Sequence, residues 1–262
     1  MARAHPSLNQ ITEKNWKPTH GGLSSSKIGD QMHDKLLITN LLRMQDTSLP
    51  KVFVIGHHKI ATRSIHQLFK VDGYKSIHWK GGHIAETMLH NMRMSQPLLQ
   101  GIDNALVYSD MEYVHDDGEF FYGHRLFPIL DLQYPGSIFI FNTRNLESWI
   151  KSQLAHKSKK SGLYVRRIRK GLRTTFPDRK INNNDVIKMW RRTWQQHEDE
   201  VNRYFSGKNN LLRVDIESTE SKKQLITSLR HYGYQLTSDD LPYVGATPKK
   251  RKISDRQSKS PN

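Results

Sequence analysis

Between residues 51 and 232, short apolar runs alternate with amphipathic stretches, while both ends of the chain are polar. Five runs have the length and the β-branched or aromatic content of strands: 51–56, 75–79, 104–110, 137–142 and 211–215. Between them apolar positions recur at helical spacing, at about 63–70, 84–94, 119–134, 146–156 and 184–206, with a further stretch at 219–232. The pattern over 184–206 is the clearest. Val186, Trp190, Trp194, Val201 and Phe205 share one face, Asn184 is a candidate cap and Gly207 a candidate stop. An aromatic stripe of this kind is core material. Strands alternating with helices predict right-handed βαβ units, hence an α/β fold with a mostly parallel five-stranded sheet flanked by helices.

The same pattern divides the 262-residue chain. Residues 1–30 lack periodicity and read as a mobile N-terminal arm, residues 31–247 as a single α/β domain, and residues 248–262 as a basic disordered tail. Met32 to Met44 predicts a short helix beside the first strand. The segment 157–183 has few apolar residues and many charges, so it is either a mobile flap or an ordered insertion over the active-site edge. Hydrophobic residues make up 35% of the chain, a deficit that belongs to the polar ends rather than to the core. No run approaches the roughly 20 apolar residues of a membrane span, and Met1 to Gly29 lack the apolar stretch of a secretory signal. With no cysteine, disulfides and thiolate metal sites are excluded, and a reducing, cytoplasmic setting is expected. Oligomeric state leaves no mark on the pattern.

Charge sharpens the picture. The net charge of +16 implies an anionic partner, and it is concentrated. Residues 151–180 carry eleven Lys/Arg against Asp178, and the tail from Pro248 carries six against Asp255, giving +10 and +5 of the excess.

The chemistry lies at two strand-to-helix junctions. In Lys51-Val-Phe-Val-Ile-Gly-His-His-Lys-Ile-Ala-Thr-Arg-Ser64 an apolar strand runs into Gly56 and a polar turn, and Lys59 and Thr62 sit where a helix bearing Ile65, Leu68 and Phe69 begins. A helix start with unpaired amides and an adjacent lysine suits a phosphate or sulfate. The turn lacks the Gly-Lys pair of a Walker A loop and the three glycines of a dinucleotide fingerprint, which disfavours ATP, GTP and NAD.

The run Phe53-Val-Ile-Gly-His-His-Lys59-Ile-Ala-Thr62-Arg-Ser-Ile-His-Gln-Leu-Phe69 resembles the 5′-phosphosulfate loop of the sulfotransferase family. The second junction, Phe141-Asn-Thr-Arg144-Asn-Leu-Glu-Ser-Trp-Ile-Lys-Ser152, resembles its 3′-phosphate segment. The flanking Asp131-Leu-Gln-Tyr-Pro-Gly-Ser-Ile-Phe-Ile is similar to bacterial-type members. The likeness covers about 51–232 and implies a P-loop-like architecture and sulfuryl transfer from 3′-phosphoadenosine 5′-phosphosulfate (PAPS) to a hydroxyl or amine, with no metal required. On this resemblance Lys59 neutralises charge on the departing 5′-phosphate. His58, Ala61, Thr62, Arg63 and Ser64 belong to the 5′-phosphate cradle, Arg144 and Ser152 bind the 3′-phosphate, and Lys249 and Arg251 return from the tail towards it. Two positions depart from the pattern. Ala61 replaces the family's glycine and Ile60 a hydroxyl residue; a positive φ at Ala61 would cost on the order of 1 kcal/mol.

The general base is expected at a neighbouring strand end. Asp110 closes the third strand and is favoured slightly over His78, which closes the second; Glu112 and His83 read as solvated loop residues. The basic segment 151–180 suits guidance of an anionic acceptor, such as an acidic glycan, or attraction of the donor, and is equally well a solvated charge run; the acceptor itself stays open. Two other classes stay open: a basic nucleic-acid-binding protein, disfavoured by the lack of any nucleic-acid-binding signature, and a degenerate P-loop small-molecule kinase.

Overall fold

The computed structural model describes residues 49–115, 118–158 and 162–244. The arm 1–30, the helix expected at Met32 to Met44, and the tail with Lys249 and Arg251 lie outside the described residues.

Five parallel strands form one sheet: β1 (Val52–Val54), β2 (Ser76–His78), β3 (Val107–Ser109), β6 (Ile138–Thr143) and β9 (Leu211–Asp215), in spatial order β2-β3-β1-β6-β9. Among the described residues seven helices flank it: α1 (Thr62–Val71), α2 (His83–Arg93), α3 (Phe127–Gln133), α4 (Leu146–Ala155), α5 (Tyr164–Thr175), α6 (Asn183–Tyr204) and α7 (Thr219–His231). Two antiparallel hairpins complete the fold, β4 (Glu112–Val114) with β5 (Phe120–Tyr122), and β7 (Lys157–Ser158) with β8 (Gly162–Leu163).

The sheet is buried on both faces, as a parallel sheet must be. Alternate residues of one strand feed opposite cores because side chains alternate along a strand. Val52 and Val54 pack with α1 and α7 through Ile65, Leu68, Ile226 and Leu229. Phe53 and Ile55 pack with α2, α3 and α6 through Ile84, Met88, Leu130 and Val201. A third core joins Ile60 to Trp149 and Ile150 of α4, Ile168 and Leu172 of α5, and Trp190 of α6.

Two expectations change, and one open alternative is decided. The helix expected over 119–134 is instead strand β5, a 3-10 turn at Gly123–Leu126 and the short α3. Pairing with β4 captures Phe120 to Tyr122, and Gly123 is tight because a Cβ there would lie 2.6 Å from the Met111 carbonyl oxygen. The cap of α6 is Asn182, not Asn184: Asn182 accepts from the Asn184 and Asp185 amides, while Asp185 accepts from the Asn182 amide in a capping box. The described part of 157–183 is an ordered hairpin and helix packed on the loop that holds Ile60.

Candidate active site

β1 and β6 are neighbours in the sheet, so the two junctions found in the sequence open side by side. Their approach is close. A Cβ on Gly56 would sit 2.2 Å from the Asn142 carbonyl oxygen, so only glycine fits. Asn142, fully buried on β6, ties both ends of the turn: its Oδ1 accepts from the Gly56 amide (3.0 Å), and its Nδ2 donates to the Ile60 carbonyl. The Trp149 indole donates to the His58 carbonyl at 3.0 Å, and the Arg144 guanidinium to the Lys59 carbonyl at 3.5 Å. Ile60 anchors the turn in the third core. Its side chain is fully buried, so the hydroxyl expected there by resemblance is exchanged for packing.

With its carbonyls held by β6 and α4, the turn enters α1 through Ala61 at φ 55°, ψ 21°. Lys59 is also left-handed, at φ 66°. The first helical bond runs from the Ile65 amide to the Ala61 carbonyl (3.0 Å), so the amides of Thr62, Arg63 and Ser64 precede it and are the orphan donors of a helix start. Thr62 and Ser64 are buried and Arg63 is exposed. The Val244 amide donates to Ser64 Oγ at 3.4 Å, so the chain passes this helix start just before the tail.

Four charged side chains act on one another here. Burial pulls the Lys59 ammonium below its ordinary range, Arg63 and Arg144 add to the effect, and Asp110 opposes it. Burial pushes Asp110 up to about 7 against Arg63 and Lys59. Asp110 and His78 are one pair rather than two distant options: His78 Nε2 lies 3.6 Å from Asp110 Oδ2, with Ser109 Oγ 3.1 Å from Nδ1. Burial, then His66 and Arg63, lowers His78 to about 4, so near neutrality its ring is neutral.

Arg144 is braced rather than free. Its Nη2 donates to Glu217 Oε1 at 2.8 Å, and the Asn145 amide donates to Glu217 Oε2 at 3.1 Å. Its Nε is buried without a partner. Ser152 lies about two turns along α4, partly exposed.

Two residues depart from the sequence reading. The His58 ring is buried, bonded to Glu112 and packed on Tyr164, so it does not line the mouth of the turn. Glu112, read as a solvated loop residue, is buried on β4, because hairpin pairing turns it inward towards His58, His124 and Tyr164. His83 is exposed at the start of α2.

Asn142 and Trp149 went unnoticed in the sequence. The first has a weak signal, a polar residue inside the run Ile138-Phe-Ile-Phe-Asn142; the second is indistinguishable from core.

The family described as a sulfotransferase domain matches residues 51–231, a span that begins one residue before β1 and ends on the last residue of α7. No curated protein matches the chain.

Proposed function

The chain belongs to the sulfotransferase domain family, and on that premise we propose that it takes its sulfuryl group from PAPS and passes it to an acceptor hydroxyl or amine. An anionic or glycan acceptor suits the surrounding charge. One observation carries this reading: Lys59 and Arg144, each just beyond one of two adjacent strands, lie together, the Arg144 guanidinium donating to the Lys59 carbonyl at 3.5 Å while Arg144 and Asp110 both act electrostatically on the Lys59 ammonium. The residues fit a doubly phosphorylated adenosine. Orphan amides at α1 suit one phosphate, and the partly exposed Arg144 guanidinium, braced by Glu217, suits the other.

PAPS supplies an activated sulfuryl group whose bridging S–O bond breaks as a new S–O (or S–N) bond forms to the acceptor. Lys59 offsets charge growing on the bridging oxygen, an interaction strongest in the transition state. Thr62 and the amides of Arg63 and Ser64 hold the 5′-phosphate, with Ser152 assisting Arg144 at the 3′-phosphate. The Asp110 carboxylate takes the acceptor proton, and neutral His78 orients it. The exit of the chain beside Ser64 supports a return of Lys249 and Arg251 towards the nucleotide.

Nucleotide choice tests this directly. 3′,5′-Diphosphoadenosine is expected to raise the melting temperature, and ATP with magnesium to leave it unchanged. Radiolabelled sulfate transfer from PAPS into a panel of glycans and small alcohols then identifies the acceptor. Lys59→Ala is expected to lower kcat by 10²-fold or more, about the cost of one preorganised donor, with the melting temperature held. Arg144→Ala should instead raise the Kd for 3′,5′-diphosphoadenosine by about 10- to 100-fold, the worth of a charge-assisted hydrogen bond. Turnover in Lys59→Ala equal to the parent, or unchanged nucleotide affinity in Arg144→Ala, would remove that residue from its role.

A further inference from the structure

Behind the Lys59 turn lies a group of buried histidines that sulfuryl transfer does not use. His57, His124 and Glu112 each offer one ligand-type atom, and these atoms all lie within 4.8 Å of one another. All three side chains are buried, with His57 4%, Glu112 5% and His124 1% exposed. His57 Nε2 and both nitrogens of His124 have no hydrogen-bond partner. Buried polar atoms are nearly always satisfied, so a nitrogen from each of two rings left without a partner beside a buried carboxylate calls for a missing partner.

The geometry favours a cation over a hydrogen bond. His124 Nδ1 is 3.4 Å from Glu112 Oε2 and makes no hydrogen bond to it. That separation is about the edge between two ligands bound at ~2.0–2.2 Å in a tetrahedron. Outer contacts already orient the set. Glu112 Oε1 is engaged by the His58 ring and faces the Tyr164 hydroxyl at 3.5 Å, while Oε2 accepts from the His58 amide at 3.5 Å and faces His124. The His197 ring packs on both His57 and His124 with centroids 4.9 Å away, fixed by its Nε2 donating to the Ile55 carbonyl. Such outer hydrogen bonds are what hold metal-ligating side chains in place. Two imidazoles and one carboxylate suit a borderline divalent transition ion better than calcium or magnesium, which prefer all-oxygen sets.

We propose that His57, Glu112 and His124 supply three ligands to a zinc-type divalent ion, with a water as the fourth, and that the ion fastens the Lys59 turn to the β4–β5 hairpin and the turn that follows it. The ion joins three segments far apart in sequence. His57 lies two residues before Lys59, so the ion sets the loop without touching the reacting groups.

The test uses the full chain without a histidine tag. Purified protein is expected to hold one zinc per chain after gel filtration. Chelation with EDTA should lower its melting temperature, and zinc chloride should restore it. Cobalt(II) added to the chelated protein should give the visible d–d absorption of a tetrahedral nitrogen–oxygen site. Glu112→Gln and His124→Phe should each lower zinc affinity at least 10-fold, whereas His90→Gln and His231→Gln, exposed histidines elsewhere, should not. Wild-type protein that takes up no zinc and whose melting temperature ignores both EDTA and zinc overturns the proposal, whether or not the variants fold. So does zinc bound equally well by Glu112→Gln.

Discussion

Ala61 sits at φ 55°, where a side chain costs about 1–2 kcal/mol and glycine costs nothing extra. The family glycine at this place is therefore a backbone requirement, one that this chain meets at a cost. Ala61→Gly gains the strain back but loses some to the greater freedom of the unfolded chain. The net expectation is a stabilisation of about 0.5–1 kcal/mol, read as a higher urea midpoint with an unchanged m-value. Asp110 is also left-handed, at φ 58°, but aspartate tolerates that region, as does asparagine. Asp110→Asn thus keeps the shape and the backbone while removing the proton acceptor. A drop in kcat of about 10²- to 10⁴-fold with nucleotide affinity held is expected, the usual share of a general base. His78→Gln should cost less, since it would remove only an orienting neighbour. If His78→Gln proves the more damaging, the two roles are exchanged.

Between residue and element lies what the sequence could and could not reveal. The five strands were legible from short runs of strand-like length and β-branched or aromatic content, buried in β1, β3 and most of β6, and period-2 alternation sends Val52 and Val54 one way and Phe53 and Ile55 the other. Lys59 and Arg144 were legible as a pair because both follow such strands. Hairpin β4–β5 was not, because Phe120 to Tyr122 become a strand only by pairing with Glu112 to Val114. The inward turn of Glu112, and with it the histidine cluster, was hidden for the same reason. Helix α5 did carry a signal, Tyr164, Val165, Ile168 and Leu172 on one face, but Arg166, Arg167, Arg169 and Lys170 obscured it. What seats α5 is a contact between two glycines. A Cβ on Gly171 would lie 2.0 Å from the Gly118 carbonyl oxygen, and one on Gly118 would lie 2.2 Å from the Gly171 nitrogen. Gly171→Ala therefore sets two effects against each other. Helix propensity alone favours alanine by about 1 kcal/mol. Backbone overlap cannot be relieved by a rotamer, and overpacking costs about 1–3 kcal/mol. The expected result is a net loss of stability in urea unfolding, together with reduced transfer, because Ile60 packs on Ile168 and Leu172. A more stable Gly171→Ala would mean that α5 is not held where the hairpin meets it.

At the scale of the molecule, the strand order puts the ends of β1, β3 and β6 at one edge, and the positive charge gathers around that edge. Lys59, Arg63 and Arg144 lie within it, Arg167 of α5 acts with Lys59 and Arg63 on His156, and the same helix carries exposed Arg166, Lys170 and Arg173. Among these Arg144 has an acidic partner in Glu217, and Arg167 donates to the Val114 carbonyl. A donor with about four negative charges entering this field should be drawn in over distances that salt controls, since the screening length shrinks from ~10 Å at 0.1 M to ~3 Å at 1 M. The chemical step, by contrast, takes place in a partly buried crevice where screening is weak. Raising sodium chloride from 0.1 to 0.5 M should therefore lower kcat/KM for PAPS several-fold and leave kcat nearly unchanged. Reversing three exposed charges together, Arg166→Glu, Lys170→Glu and Arg173→Glu, should lower kcat/KM at 0.1 M and flatten its dependence on salt, again with kcat held. A triple variant with the parent's salt slope would show that α5 only keeps the surface solvated, and that Lys59, Arg63 and Arg144 supply the whole attraction themselves.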